Sequence, residues 1–298
     1  MVDISIVIVN YNTQEYLGRC VKSIYRSGID TKDIELIIID NNSSDSSLQI
    51  AQDIIDNEKI KSNIIRNNIN VGFSKAINMG LSQCSGKYVC ILNPDIYIEK
   101  NCFIKLIDFM NKNLGIGCIG PKIVNYDGSL QISCKRSLPT IKNSIYKIIG
   151  LDKLFKNNEV ISAYNLLYLD EDEINEVEVI SGAFMLIRLD VMKEVGAFDE
   201  SFYLYGEDID YCHRIKRKGF KTLYYPLAKA IHYKGKSAKS HPFKAIYHFH
   251  KSMIKYYTKY QGIYPSWKFL KPFIVISVII KKYLSYFYLI IKNIFRLR

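Results

Sequence analysis

A chain of 298 residues with 48% hydrophobic residues can bury a full core, either as one large α/β domain or as one domain with an appendage. The net charge of +12 is uneven, because residues 211–298 hold 20 of the 41 Lys and Arg residues and no Asp or Glu. This asymmetry indicates an anionic partner, either lipid or nucleic acid. The seven cysteines form no CxxC pair and no zinc-type Cys/His spacing, which indicates small buried hydrophobes in a reducing cytosol.

The first 92 residues alternate between strand and helix patterns. Short apolar runs rich in β-branched residues predict buried strands, and apolar residues at helical spacing predict the segments between them. The predicted strands cover residues 4–9, 35–39, 63–66 and 88–92, and the predicted helices reach about residues 27, 56 and 84. The alternation predicts a mostly parallel sheet with helices on both faces. Because the N-terminus runs directly into the first strand, we expect no signal peptide.

The second half of the chain is less regular. Residues 121–176 show no clear period and predict a variable, partly mobile segment, whereas the pattern is regular again at residues 177–187. Residues 206–218 predict a helix that opens with acids and ends with bases, in agreement with the helix dipole. Residues 222–225 and 230–233 resemble two further strands.

Polar residues follow three of the predicted strands, at residues 10–12, 40–42 and 93–95. In parallel sheets, ligands bind beyond the carboxyl ends of the strands, so these turns predict a nucleotide crevice. Asp95 offers a carboxylate for a metal, the Glu207-Asp208 pair offers a base, and His232 offers an imidazole. This combination indicates metal-assisted group transfer. Motifs of P-loop proteins, dinucleotide-binding dehydrogenases, zinc proteases and α/β-hydrolases are absent from the sequence.

Eight segments in order resemble family 2 glycosyltransferases with the GT-A fold, in the branch that contains rhamnosyltransferases. The resemblance covers roughly residues 3–240. It rests on the motifs at residues 5–12, 38–45, 70–78, 92–95, 181–184, 196–200, 206–211 and 232–237.

This resemblance implies inverting transfer from a nucleotide-diphosphate sugar and a role for each matching residue. Asp95 and His232 are implied to hold Mn²⁺ or Mg²⁺ at the diphosphate. Asp208 is implied to be the general base, with Glu207 as the less favoured candidate. Gly182 and Asp210 fall on the acceptor side. The residues assigned to the nucleotide sugar are Asn10, Tyr11, Asp40, Asn41, Asn42, Gly72, Asn78 and Asn93.

The basic C-terminal segment predicts a membrane contact. Residues 269–291 are largely apolar but contain Lys271, Lys281 and Lys282, and the longest apolar run, residues 273–280, is too short to cross a bilayer. We therefore expect residues 266–298 to form a helix that lies on an anionic membrane surface. The alternatives are a helical pair that packs on the domain or on a second subunit, and a true span.

These observations predict a GT-A domain over residues 1–240, with a nucleotide-sugar half (1–120) and an acceptor half (121–240), followed by a basic helical extension (241–298). The predicted enzyme lies on the cytoplasmic face of the membrane and transfers rhamnose from dTDP-rhamnose to a lipid-linked glycan of a bacterial surface polysaccharide. A UDP-hexose or UDP-N-acetylhexosamine donor is the alternative within this fold, and a non-catalytic sugar-nucleotide-binding scaffold is the alternative of another class. Nucleic acid is not expected as a partner, and a homodimer is possible.

Overall fold

A computed structural model describes residues 3–59, 61–233, 242–263 and 267–296. Part of the last motif, residues 234–237, lies outside this range, as do residues 266, 297 and 298 of the predicted membrane segment. The strands are β1 (Ile4–Asn10), β2 (Ile34–Asp40), β3 (Ser62–Arg66), β4 (Tyr88–Leu92), β5 (Ile96–Ile98), β6 (Ile116–Asn125), β7 (Lys135–Arg136), β8 (Asn175–Glu176), β9 (Val179–Ile180), β10 (Phe184–Arg188) and β11 (Lys221–His232).

Helices connect and cover these strands. They are α1 (Gln14–Tyr25), α2 (Ser47–Glu58), α3 (Phe73–Leu81), α4 (Cys102–Lys112), α5 (Ile141–Ile149), α6 (Leu151–Leu154), α7 (Leu189–Val195), α8 (Glu207–Arg217), α9 (Pro242–Lys259) and α10 (Trp267–Arg296).

Nine strands of the described part form one sheet, in the order β3-β2-β1-β4-β10-β6-β11-β5 with β8 beside β11. The first four in this order are parallel, as predicted, so Asn10, Asp40 and Leu92 end their strands at the same edge. Strand β10 runs antiparallel between β4 and β6, which makes the sheet mixed. Strands β1, β2, β4 and β10 are buried over their whole length, which explains their continuous apolar runs.

The segment predicted to be irregular, residues 121–176, is largely ordered. Strand β6 continues to Asn125, and helix α5 begins with a capping box in which Thr140 and Asn143 bond reciprocally. Two acidic residues of this segment, Glu171 and Asp172, pair with the buried Lys122 at 2.9 and 2.7 Å. Ion pairs between residues distant in sequence are not revealed by a local hydrophobic period.

The two strands predicted near residues 222–233 are one strand, β11, with a change of register between Tyr225 and Lys229. Pro226 lies in this stretch and has no N–H to donate, so the hydrogen-bond ladder is interrupted there. The continuous strand carries His232 to the edge of the sheet beside β5, where Ile96 is its partner.

The C-terminal helices differ in their packing. Helix α9 belongs to the main body, because its Tyr256 and Tyr257 are buried. Tyr260, the residue after the helix, is also buried and donates to Asp210 Oδ1 at 2.8 Å. Within α10, the segment Lys271–Ile291 contains an 18-residue window with a mean hydropathy of 1.8, of which only 6% is buried. Among the described helices, this is the one that is long and apolar enough to cross a membrane by length and composition. The sequence argument favoured a helix on the membrane surface, because of the lysines within residues 269–291, and kept a span as an alternative.

Candidate active site

A cavity of about 540 Å³ opens at the carboxyl edge of the parallel strands. Turns after β1, β2 and β4 form one side of it, and the segment around β7, the start of α8 and one face of α9 form the other. Predicted site residues that line it are Tyr11, Asn41, Gly72, Asn93, Asp95, Gly182, Glu207, Asp208 and His232. The fold therefore brings together residues that are as far apart in sequence as Tyr11 and His232.

Asp95 and His232 form the candidate metal site. His232 Nε2 lies 3.0 Å from Asp95 Oδ1, and both side chains are largely buried. Two neighbouring ligands at about 2.1 Å from one Mg²⁺ in octahedral geometry are separated by about 3.0 Å. The pair therefore has the spacing of two cation ligands. No group of three or more His, Cys, Asp or Glu residues suited to a metal occurs in the described ranges.

The hydrogen bonds of His232 also fit a cation. Its Nδ1 lies 2.7 Å from Gln131 Oε1, and Gln131 Nε2 donates to Ser133 Oγ at 3.1 Å, which is consistent with the amide oxygen facing the ring. Both ring nitrogens therefore face oxygen acceptors, whereas a neutral imidazole has only one N–H. With the proton on Nδ1, the lone pair of Nε2 points toward Asp95, as in a metal-binding histidine oriented by a second hydrogen bond.

The candidate base lies at the start of α8. Gly206 precedes the helix with a φ of +81°, which an L side chain rarely adopts, and the chain turns there so that Glu207 and Asp208 enter the cavity wall. Asp208 Oδ2 accepts hydrogen bonds from Arg136 Nη2 at 2.5 Å and from the Gly182 amide at 3.2 Å. These two donors fix the orientation of the Asp208 carboxylate.

Glu207 lies in a different environment. Burial, and next the charge of Asp208, raise the pKa of Glu207 to about 8, although Arg136 acts in the opposite direction. Its Oε2 has no hydrogen-bond partner within the part of the chain that the structure describes. At neutral pH Glu207 is therefore mostly protonated, and Asp208 is the carboxylate better suited to accept a proton.

The cavity wall at the turn before α3 has an unusually close backbone contact. Gly72 has a φ of +89°, and a Cβ atom added to it would lie 2.6 Å from the ring of Tyr203. The next amide, of Phe73, donates to Tyr203 O at 2.8 Å, and Asn41 Nδ2 donates to Gly72 O at 3.2 Å. Glycine is required here, because it lets the turn before α3 approach the loop before α8 and close the cavity wall.

Five predicted site residues do not line the cavity. Asn10 is fully buried and donates to Asp40 Oδ1, Ser43 and Ser47, and Asp40 accepts a bond from the Ser43 amide, so both support the turn after β2. Asn42 is exposed, with a φ of +66°. These residues therefore shape the turn that carries Asn41, and their expected contact with the nucleotide stays a prediction.

The other two residues link elements of the main body. Asn78 exchanges hydrogen bonds with the backbone of Phe198 and so ties α3 to the loop after α7. Asp210, expected on the acceptor side, is fully buried and pairs with Arg214 and with Lys259 of α9. Its position one turn into α8 directs it away from the cavity and toward α9.

The sequence matches the profile of the family described as Glycosyl transferase family 2 over residues 5–195. The chain belongs to this family. It is a glycosyltransferase, and its relatives include the N-acetylglucosaminyl-diphospho-decaprenol L-rhamnosyltransferase of Mycobacterium tuberculosis (strain CDC 1551 / Oshkosh), which is 26% identical over 83% of this chain and 81% of that protein. The rhamnosyltransferase WbbL of Escherichia coli (strain K12) is 26% identical over 76% of this chain and 82% of that protein.

The solved structures show the same fold for the glycosyltransferase. The crystal structure of GalNAc-T7 with UDP, GalNAc and Mn²⁺ superposes with a TM-score of 0.58 at 19% identity, over 78% of this chain and 43% of that one. The predicted GT-A architecture is therefore confirmed, with a sheet in which β10 interrupts the parallel order.

Several residues around the site of this glycosyltransferase were not predicted from the sequence. Gln131, Arg136, Lys147 and Tyr164 all come from the segment that was expected to be mobile, and His248 comes from α9. Arg136 is the most informative of them, since it is buried and paired with the candidate base. The sequence signal for Arg136 was the pair of adjacent basic residues, Lys135 and Arg136, between the apolar residues of that segment. This signal cannot be interpreted until the carboxylate partner of Arg136 is known.

Proposed function

We propose that this glycosyltransferase transfers rhamnose from dTDP-rhamnose, with inversion, to a hydroxyl of a lipid-linked glycan. The observation that carries the proposal is the juxtaposition in one cavity of the Asp95–His232 pair and the Arg136-held carboxylate of Asp208. The two relatives named as rhamnosyltransferases support rhamnose as the sugar, and one of them is named for a diphospho-decaprenol acceptor.

In the proposed reaction, the acceptor hydroxyl attacks the anomeric carbon on the face opposite the diphosphate. A new C–O bond forms, the bond from that carbon to the diphosphate oxygen breaks, and the hydroxyl proton passes to the Asp208 carboxylate. Gly182 and Arg136 hold that carboxylate in place. A divalent cation held by Asp95 and His232 would supply positive charge to the nucleoside diphosphate that leaves.

The enzyme is proposed to work as a peripheral protein on the cytoplasmic face of the membrane. Helix α10 exposes large apolar side chains such as Phe269, Phe273, Leu284, Phe287 and Tyr288. The segment is also basic, which favours contact with anionic lipid. Such a position brings the cavity close to an acceptor that is anchored in the bilayer.

The test is a transfer assay with the purified full chain, dTDP-rhamnose, N-acetylglucosaminyl-diphospho-decaprenol and Mn²⁺ or Mg²⁺, analysed by mass spectrometry. We expect a product heavier by one rhamnose, formed only with metal and with the opposite anomeric configuration to the donor. UDP-glucose and UDP-N-acetylglucosamine are the competing donors. Transfer from a UDP-sugar instead would replace rhamnose by the alternative donor class, and transfer in EDTA would overturn the metal requirement.

A further inference from the structure

A second cavity, a groove of about 610 Å³, adjoins the active site and shares two walls with it. On α5, Lys147 lines the catalytic cavity and the next residue, Ile148, lines the groove. On α9, Ala245 lines the catalytic cavity and the next residue, Ile246, lines the groove. These two helices therefore separate two neighbouring spaces, a catalytic cavity that holds the charged and polar site residues and a groove lined mainly by apolar side chains.

Helix α10 forms the third wall of the groove. Its contribution is mainly apolar, with Ile280, Leu284 and Leu289, but it also includes Lys281. Groove volumes of about 300–1,000 Å³ are typical of sites that bind small molecules. The groove is thus large enough to hold part of a long hydrocarbon chain, and α10 would carry the remainder along its exposed apolar surface.

Positive charge marks the border between the two spaces. Burial lowers the pKa of Lys147 in the cavity to about 7, and the charges of Arg136 and next of Lys281 in the groove act in the same direction. Lys244, from the start of α9, also lines the cavity. The negative charge of Asp152 acts in the opposite direction on the pKa values of both Lys147 and Lys281. This one carboxylate offsets only part of the positive charge of the two lysines. An anionic group located at this border would relieve the repulsion between the two lysines.

We propose that the groove binds the isoprenoid chain of a polyprenyl-diphosphate-linked acceptor, with the diphosphate at Lys147 and Lys281 and the sugar in the catalytic cavity. This assignment rests on the proposed transfer to a lipid-linked acceptor. It matches each part of the ligand to one part of the surface: hydrocarbon to Ile148, Ile246 and Ile280, negative charge to the two lysines, and the sugar hydroxyl to Asp208. The apolar groove explains why the acceptor sugar would arrive from the α10 side.

The test uses photolabelling of the full chain in detergent micelles with a diazirine derivative of geranylgeranyl diphosphate, followed by peptide mapping. This probe carries no sugar and needs no transfer, so the groove and the proposed reaction can fail independently. We expect labels on α5, α9 and α10. Ile280→Trp should fill the groove and reduce labelling at least tenfold, whereas Ile279→Trp, one position away on the same helix and outside the groove, should leave labelling within twofold.

The charge requirement is tested with Lys281→Gln, which also serves if Ile280→Trp fails to fold. We expect this variant to reduce labelling by the diphosphate probe at least fivefold and to leave labelling by the corresponding isoprenyl alcohol unchanged. Equal labelling of the wild type by the alcohol and the diphosphate would overturn the proposal. So would equal labelling by a diazirine phosphatidylglycerol, which would identify the groove as a general lipid contact, and so would undiminished labelling of Ile280→Trp.

Discussion

Arg136 donates a hydrogen bond from Nη2 to Oδ2 of Asp208, so a buried guanidinium holds the carboxylate that is assigned as the base. Strand β7 supplies the arginine and the first turn of α8 supplies the aspartate. The Gly182 amide donates to the same oxygen at 3.2 Å. This arrangement separates the roles of two adjacent acids, because Asp208 has a charged partner and Glu207 does not.

Asp208→Asn tests the assignment of the base. Asparagine keeps the size of the side chain but cannot accept the hydroxyl proton, so we expect transfer to fall by about 10²–10⁴-fold. Binding of dTDP, measured by thermal shift with Mn²⁺, should stay within about twofold of the wild type. Asp108→Asn, on the exposed surface of α4, is the matched control and should keep full activity. Retention of most of the activity by Asp208→Asn would move the role of base to Glu207.

Arg136→Met tests the positioning of that base. Methionine removes the guanidinium that orients the Asp208 carboxylate, so we expect kcat to fall by about 10–100-fold while the KM for the donor stays within about twofold. Arg136→Lys keeps a positive charge and should restore kcat in part, although it cannot reproduce the geometry of the guanidinium. A loss of kcat that is matched by a loss of folded protein, measured as a fall in Tm, would indicate a merely structural role for Arg136.

Glu207 makes the stability of the protein depend on pH. Its pKa is raised from 4.5 to about 8, first by burial and next by the charge of Asp208. Between these values the folded state holds a proton that the unfolded state has lost, so stability falls as pH rises through this window. Glu207→Gln resembles the protonated side chain. We therefore expect its Tm to match the wild type at low pH and to exceed it by at least ~2 °C at pH 9.

The comparison for Glu207 is Glu173→Gln, an exposed acid in the loop before β8. Its Tm difference from the wild type should be the same at pH 5 and pH 9. If the Tm difference between Glu207→Gln and the wild type is also the same at pH 5 and pH 9, then Glu207 is ionised in the folded protein at neutral pH. In that case the argument that Glu207 and Asp208 have different roles no longer holds.

The sequence predicts the parallel part of the sheet well, because buried parallel strands are continuous apolar runs with a local signal. It also predicts which strand ends form the crevice, since Tyr11, Asn41 and Asp95 all line it. Arg136 and Gln131 could not be predicted, since each is defined by a partner far away in the chain. For the same reason the sequence does not reveal that Asn10 donates hydrogen bonds to Asp40, Ser43 and Ser47.

Asp95→Asn tests the metal site. Asparagine keeps an oxygen ligand but removes the negative charge, so we expect weaker Mn²⁺ binding by at least tenfold, measured by electron paramagnetic resonance in the presence of dTDP. Gln131→Met should weaken it by about 10-fold through loss of the bond that orients His232. Asp127→Asn, exposed in the turn after β6, is the control. Unchanged Mn²⁺ binding by Asp95→Asn would move the cation to other ligands.

Removal of residues 266–298 tests the membrane contact. Helix α10 carries the exposed apolar residues and much of the basic charge, so we expect the shortened chain to lose binding to anionic liposomes in a sedimentation assay. In the full chain, Phe273→Glu combined with Phe287→Glu should weaken binding, whereas Leu227→Glu, exposed on β11, should not. Alkaline carbonate should release the wild type, because an interfacial helix is held at the surface. Retention in the carbonate pellet would show that the 21 residues Lys271–Ile291 cross the bilayer instead.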